Sequence, residues 1–138
     1  MSKLHGLLLA ALAGTLLAWS GTSPAQTQTI NVATAVQLQS AVAAANRAGG
    51  NRVISIADGV YTLTDTLYVN APNISLVGQS GSRSSVVIQG DAMSSTAVVG
   101  TLIRVAGNGF QLRYVTLQRS RLHLIQIVGE SNTDSPTI

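Results

Sequence analysis

A histidine and a glutamate near the end of this chain could form a proton-transfer pair. They are His123 and Glu130, in the segment "RLHLIQIVGESN" at residues 121–132. Histidine and carboxylate side chains are among the groups that most often move protons in active sites. The run between them reads as a β-strand, in which seven residues span about 23 Å at roughly 3.3 Å per residue. Alternation places the two side chains on opposite faces, so no direct pair is expected unless the chain turns sharply between them.

His123 therefore stands alone as the candidate catalytic residue. If Ile125 and Ile127 face the core, His123 shares their side of the strand. The competing interpretation is structural, with His123 at the corner before the strand or closing the core with a hydrogen bond. By the same alternation, Gln126 points outward.

Four arginines fall within 18 residues: Arg104, Arg113, Arg119 and Arg121. The planar guanidinium pairs with a carboxylate through two parallel hydrogen bonds, so an arginine-rich strand face suits a ligand that carries carboxylates. Arg113 is expected to point outward because its neighbour Leu112 has inward parity. The predicted substrate-binding residues are Arg113, Arg119, Arg121 and Gln126. The alternative is an ordinary solvated strand face.

The composition disfavours several other kinds of chemistry. After residue 25 no lysine remains to act as a base, and no tryptophan remains to stack on neutral sugars. Asp58, Asp65 and Asp91 stand in turn-like contexts, so we interpret them as turn residues rather than catalytic or calcium-binding groups. No metal site is therefore predicted. Seven arginines and five acidic residues leave a formal net charge of +2, which is too small to indicate nucleic-acid binding.

The first 25 residues have the layout of a secretory signal peptide. Lys3 and His5 precede an apolar run at 7–19, and Ser23 and Ala25 are small residues before a cleavage site. The run is shorter than the roughly 20 residues of a membrane span, so a retained anchor is the secondary interpretation. We predict cleavage after Ala25, a secreted or periplasmic location, and no membrane span afterwards. The chain has no cysteine, so its stability cannot rest on disulfides.

One segment predicts a helix, and the remainder predicts strands. Residues 34–50 begin with a capping-box pattern, continue with an apolar stripe and end at two glycines. The stripe consists of Leu38, Ala41, Val42 and Ala45. A short leader at 26–33 precedes this helix. From residue 51 to 138, short runs of alternating apolar and polar residues are separated by turns that contain Gly, Pro, Asn or Asp.

Two strand segments resemble copies of each other. They are "NISLVGQS" at 73–80 and "GFQLRYVTLQRS" at 109–120, with Leu76 and Leu112 separated by 36 residues. A repeat of this length is typical of solenoids, and the segment at 91–100 is interpreted as a loop insertion. A β-sandwich is the alternative, but it favours tight two-residue hairpins that are scarce here. A solenoid needs a cap over its first turn, which the preceding helix would provide.

These segments together resemble the start of secreted right-handed parallel β-helix proteins of the pectin-lyase-like superfamily. The resemblance rests on "LQSAVAAANRAGG", "ISIADGVYTL", "NISLVGQSGSRSSVVIQGD" and "FQLRYVTLQRS", and it covers about residues 34–138. It implies an all-β fold, consisting of the first coils of a right-handed parallel β-helix solenoid with an N-terminal amphipathic capping helix. Its members include polysaccharide lyases, pectin hydrolases, epimerases and non-catalytic surface proteins, so polysaccharide is the implied partner.

The resulting functional expectation is the N-terminal scaffold of an exported protein that binds or processes an acidic polysaccharide, in the second case by a lyase-like reaction. The competing hypothesis is a non-catalytic surface or adhesion module. No catalytic motif can be carried over, so enzyme activity stays open. The coils at 51–138 are expected to be truncated, with further coils or another chain on the open end. A complete small solenoid that pairs with another chain is the alternative. No cofactor is predicted, although Ca²⁺ is compatible with a full-length protein.

Overall fold

The structure of the protein, a computed structural model, describes residues 26–129. The predicted signal peptide, Glu130 and the last residues of the predicted coils lie outside the described residues. Within 26–129, no helix has both the length and the apolar character that crossing a membrane requires.

Residues 26–129 form one α-helix and ten β-strands. In chain order these are β1 (Gln28–Val32), α1 (Ala35–Arg47), β2 (Arg52–Ile56), β3 (Gly59–Thr62), β4 (Leu67–Val69), β5 (Ile74–Gly78), β6 (Val86–Gln89), β7 (Thr101–Val105), β8 (Gln111–Arg113), β9 (Thr116–Gln118) and β10 (His123–Ile127).

The strands form three sheets in which every pairing is parallel. Sheet A has the order β1-β2-β5-β8, sheet B has β3-β6-β9, and sheet C has β4-β7-β10. The chain therefore visits sheets A, B and C in the same order three times. We call these passages circuit one (β2 to β4), circuit two (β5 to β7) and circuit three (β8 to β10). The expectation of a mostly β, parallel architecture with one short helix is confirmed.

The apolar core lies between the three sheets and is built from columns of inward side chains. The columns are Ile54–Leu76–Leu112 in sheet A, Tyr61–Ile88–Leu117 in sheet B and Leu67–Ile103–Ile125 in sheet C. Members from circuits one and two are fully buried, whereas those from circuit three are only partly buried. Full burial of such a side chain stabilises the fold by about 1.5–3 kcal/mol. The inward side chains of circuit three therefore contribute less to stability than those of circuits one and two.

Helix α1 covers the end of the core that circuit one leaves open. The Thr34 hydroxyl accepts the backbone N–H of Gln37 at 3.2 Å, and the Gln37 side chain accepts the backbone N–H of Ala33 at 2.9 Å. The predicted apolar stripe is the buried face of the helix, and it belongs to the same core as the sheets. Gly49, directly after the cap residue Ala48, takes a φ of 78°, as the predicted left-handed helix end requires.

Two elements differ from what the sequence indicated. The segment interpreted as a leader contains β1, whose Ile30 and Val32 pair with Ile54 and Ile56 of β2. The short run "TINV" alternates correctly, but its partner strand follows the helix, so local sequence did not reveal the pairing. The second correction concerns residues 109–120, which form two strands rather than one. Tyr114 adopts a φ of 57°, and this turns the chain from sheet A into sheet B.

The predicted stacking of the two repeated segments is confirmed. Leu112 pairs directly with Leu76, as their 36-residue separation predicted. Residues 91–100 contain no strand and form the loop between β6 and β7. The corresponding connections of circuits one and three, at 63–66 and 119–122, have only four residues each. The insertion therefore lengthens one corner without disturbing the parallel register on either side.

Candidate functional site

A groove runs along the outer face of sheet C. Its floor is a row of three side chains in strand register: Tyr68 on β4, Arg104 on β7 and Gln126 on β10. The walls are Asp65, Thr66, Gly100 and Thr101, and the volume of this open groove is about 350 Å³. The groove therefore crosses three strands that are distant in sequence.

Strand alternation places the floor residues on the outside. The neighbours of Tyr68 and Arg104 along their strands are fully buried in the core, whereas Ile125 beside Gln126 is partly buried and Ile127 is 47% exposed. Because successive strand residues point to opposite faces, the buried residues on each side of Tyr68 and Arg104 direct these two side chains into the groove, and Gln126 lines it in the same register. The parallel register then aligns the three residues along the stack at about 4.8 Å per strand.

Arg104 and Tyr68 form the centre of this floor. The guanidinium carbon of Arg104 lies 5.7 Å from the centroid of the Tyr68 ring, within the range of a cation–π contact. Tyr68 keeps 37% of its surface exposed. The contact, worth about 0.5–1 kcal/mol at an exposed site, holds the guanidinium over the ring and restricts its rotamers. A planar cation beside an exposed aromatic face is thus presented to solvent.

Hydrogen bonds fix the wall beside β4. The Thr66 hydroxyl donates to the backbone carbonyl of Thr101 at 2.7 Å, which joins the start of β4 to the start of β7. The Asp65 carboxylate accepts the backbone N–H of Thr66 at 2.7 Å, and Asp65 is exposed. The groove thus combines a carboxylate, hydroxyls, an amide and a guanidinium, which together can donate to and accept from a polar ligand.

The groove continues toward α1 through a second, smaller depression. That depression has a volume of about 220 Å³ and shares Asp65, Thr66 and Tyr68 with the groove. Asn46 of α1 lies beside it and donates to the backbone carbonyl of Tyr68 at 2.6 Å. The helix therefore also supports the strand that carries the aromatic residue.

His123 lies at the margin of the groove. It is the exposed first residue of β10 and pairs in register with Thr101, which lines the groove. Its backbone N–H donates to the Gly100 carbonyl at 3.2 Å, and its own carbonyl accepts the Ser120 hydroxyl at 2.7 Å. His123 was expected at the corner before the strand or closing the core with a hydrogen bond; the structure instead places it in the strand, with its side chain exposed. Glu130, for which no direct pairing with His123 is expected, lies outside the described residues.

The four predicted substrate-binding residues do not lie together. Gln126 lines the groove, whereas Arg113 is exposed on β8 of sheet A. Arg119 and Arg121 lie in the corner between β9 and β10, where their guanidiniums donate to the backbone carbonyls of Asp91 at 2.7 Å and Ser95 at 3.3 Å. These two arginines bind the inserted loop. Arg104, noted in the same cluster, is the arginine that enters the groove.

Sequence reasoning missed Tyr68 and the wall residues Asp65 and Thr66. The signal for Tyr68 was present, because it stands between Leu67 and Val69 and is 36 residues before Arg104. Leu76 and Leu112 have the same separation in sequence, so a single 36-residue repeat predicts both strand pairings. The wall residues gave no such signal, since turn aspartates and threonines are common.

Two ionisable groups away from the floor have shifted pKa values. Backbone N–H groups of Val98 and Val99 donate to the Asp91 carboxylate at 3.1 and 3.4 Å and lower its pKa. Burial raises the pKa of Tyr61, and the negative charge of Asp58 acts in the same direction. In residues 26–129, no group of three or more His, Cys, Asp or Glu side chains is placed to hold a metal ion.

No protein-family model matches this chain, and searches of curated proteins and of solved structures found no significant match to it. A functional assignment therefore has to come from the groove itself.

Proposed function

We propose that this chain is the N-terminal part of a right-handed parallel β-helix whose sheet C groove binds an acidic polysaccharide. The repeated order of sheets A, B and C with all-parallel pairing supports the β-helix, and hence the resemblance to pectin-lyase-like proteins. Right-handedness follows from the strong preference for right-handed crossovers between parallel strands. Single helices and strands do not distinguish this fold from others, whereas the cyclic sheet order favours it.

The observation that carries the ligand proposal is Arg104 over the Tyr68 ring, in register with Gln126. A guanidinium pairs with a carboxylate through two hydrogen bonds. An aromatic face offers contact area to the apolar face of a sugar ring, and an amide can bond its hydroxyls. A uronate unit carries a carboxylate for the guanidinium, an apolar ring face for the aromatic ring and hydroxyls for the amide. The groove runs along the stack direction, so a polymer can lie across several strands at once.

Binding is the function that this arrangement supports best. The chemistry of processing, in the lyase-like version of the proposal, belongs to further coils of a longer protein. A non-catalytic surface or adhesion module is the alternative, and it would use the same groove without cleavage. Export through the residue 1–25 signal peptide to the periplasm or the outside agrees with a polysaccharide ligand.

The exposed side of circuit three favours a further partner that packs on it. Leu112, Leu117 and Ile125 pack against the core but are only partly buried, and Ile127 is 47% exposed. Further coils or another chain on β8, β9 and β10 would extend each column. We propose this covering as part of the same solenoid.

Titration with polygalacturonate, followed by calorimetry at neutral pH and low salt, tests the ligand proposal. Arg104→Gln is expected to weaken binding by about tenfold or more, because a charge-assisted bidentate pair is lost. Arg113→Gln is the matched control, since the same charge is removed from sheet A. Neutral dextran should not bind measurably.

The two arginine variants also distinguish binding in the sheet C groove from binding at Arg113 on sheet A, which the sequence predicted. Loss of binding in Arg113→Gln with none in Arg104→Gln would overturn the groove assignment and favour the strand face of sheet A. Appearance of unsaturated uronate absorbance in the ultraviolet on mixing with polygalacturonate would show that this chain itself cleaves the polymer. Retained binding without that absorbance favours the binding module.

A further inference from the structure

The inserted loop at 91–100 leads directly into the groove wall. The loop ends at Gly100, and Gly100 and Thr101 line the groove. The Gly100 carbonyl accepts the Ser120 hydroxyl at 2.8 Å and the Leu122 backbone N–H at 2.8 Å. The end of the loop is therefore attached to the corner that precedes β10, which carries Gln126 on the floor.

Two arginines hold the body of the loop against the same corner. Arg119 donates to the Asp91 carbonyl and Arg121 to the Ser95 carbonyl. The corner backbone at Arg119 has a φ of 57°, and a Cβ added to Gly90 would lie only 2.4 Å from the Arg119 carbonyl oxygen. The start of the loop and the corner are thus in close contact, which leaves this end of the loop little freedom.

Within the loop, one carboxylate closes the chain on itself. The Asp91 carboxylate accepts the N–H groups of Val98 and Val99, so the first residue of the loop binds its last turn. Val99 is 1% exposed and Ala97 is 7% exposed, which anchors that turn in the core. Met93 and Val98, in contrast, are each 74% exposed, so these two side chains make little contact with the core.

We infer that the loop at 91–100 is an acid-released wall of the groove, with Asp91 as the group that holds it closed. The inference rests on the proposed function only where it concerns the ligand. With Asp91 ionised, both N–H groups are satisfied and Gly100 is held in place. Protonation removes the charge that these donors favour, the last turn loosens, and the wall at Gly100 and Thr101 loses its fixed position.

The direction of the pH effect follows from the pKa of Asp91. Because the folded loop lowers that pKa, the stabilisation is present above the unfolded value of about 3.9 and is lost as pH falls through the folded value. The charged side chains of the adjoining β9–β10 corner are Arg119 and Arg121, which donate to the backbone carbonyls of Asp91 and Ser95. His123 begins β10 at the same corner, so His123→Asn serves as a further control.

Amide hydrogen exchange on the full chain tests, without any ligand, whether the Asp91 carboxylate holds the loop at 91–100. Protection of the Val98 and Val99 amides is expected to fall by about tenfold between pH 5 and pH 3, while Ile88 and Ile103 stay protected. Asp91→Asn should show the low protection at every pH, whereas Asp58→Asn, in the turn between β2 and β3, should behave like the wild type. Unchanged protection in wild type at pH 3, or wild-type protection in Asp91→Asn, would overturn the inference.

A second measurement tests the wall. At neutral pH, Asp91→Asn is expected to bind polygalacturonate several-fold more weakly than Asp58→Asn, with the polymer fully ionised in both cases. Loss of loop protection without any change in affinity would show that the loop is no part of the binding wall. If wild type binds no polygalacturonate, the proposed function fails, and the exchange experiment alone still decides whether Asp91 holds the loop.

Discussion

Asn73 donates its side-chain amide to the side-chain oxygen of Asn51 at 3.0 Å. Both residues occupy the corner before a sheet A strand and take left-handed backbone conformations, with φ values of 53° for Asn51 and 54° for Asn73. Asparagine tolerates this region better than other residues with a Cβ. The third corner is Gly109, also left-handed at 67°, and a Cβ there would lie 2.3 Å from the Asn73 side-chain oxygen. One backbone shape therefore recurs in three stacked corners.

Asn73→Ala is expected to lower the free energy of unfolding by about 2–3 kcal/mol, since it loses a hydrogen bond and places alanine in the left-handed region. Asn73→Gly removes the same hydrogen bond but restores the backbone freedom, so it should cost about 1 kcal/mol less. Urea unfolding of the two variants measures the difference. Equal costs would show that the backbone conformation contributes nothing at this corner.

Gly50 should tolerate alanine much less well than Gly81. Both glycines have positive φ values, of 86° and 74°. A Cβ on Gly50 would lie 1.9 Å from the Pro72 carbonyl oxygen, whereas one on Gly81 has nothing within 4 Å. Gly81→Ala should therefore cost about 1–2 kcal/mol for the backbone alone, and Gly50→Ala at least 2 kcal/mol more, as a backbone clash requires. Thermal unfolding of both variants tests this ranking, which a similar loss in both would contradict.

Much of this architecture follows from sequence by elementary rules. The helix was predictable from its cap and stripe, and strand alternation placed Leu112 inward and Gln126 outward. The 36-residue separation of Leu76 and Leu112 also gave the correct sheet pairing. The same separation applied to Tyr68 and Arg104 would have given the centre of the groove, so that part of the site was available from sequence but required the register first.

Other features depend on tertiary contacts that residue types do not encode. The turn at Tyr114 needs a positive φ at a bulky residue, and the carbonyl of Tyr114 approaches Gly78 so closely that a Cβ there would lie 2.1 Å away. Nothing local to Tyr114 predicts this conformation. Arg119 and Arg121 likewise suggest surface charges for a ligand, but the loop at 91–100 packs beside them and its backbone carbonyls accept their hydrogen bonds. Where an insertion packs cannot be derived from its composition.

Tyr61→Phe is expected to reduce stability by about 1–2 kcal/mol at neutral pH. The Tyr61 hydroxyl donates to the Ala57 carbonyl at 2.7 Å, and the residue is 1% exposed. Because burial raises the pKa of Tyr61 in the folded state, its contribution is present below the unfolded value of about 10 and is lost as pH rises through the folded pKa. Urea unfolding between pH 8 and pH 11 should show a steeper alkaline loss in wild type than in Tyr61→Phe. Tyr114→Phe, at a site 50% exposed, is the control, and parallel profiles in wild type and Tyr61→Phe would contradict the expectation.

Leu76→Ala and Leu112→Ala compare two positions of a single core column. Leu76 is fully buried between its neighbours in sheet A, so truncation should cost about 2–5 kcal/mol. Leu112 is only partly buried in circuit three, and its truncation should cost about half as much, because less apolar area is lost. Urea unfolding of the full chain at several protein concentrations measures both. Equal costs that persist at the lowest concentration would mean that another segment of the same chain covers Leu112. A Leu112 cost that rises with concentration would instead indicate that a second copy packs on the exposed end of the column.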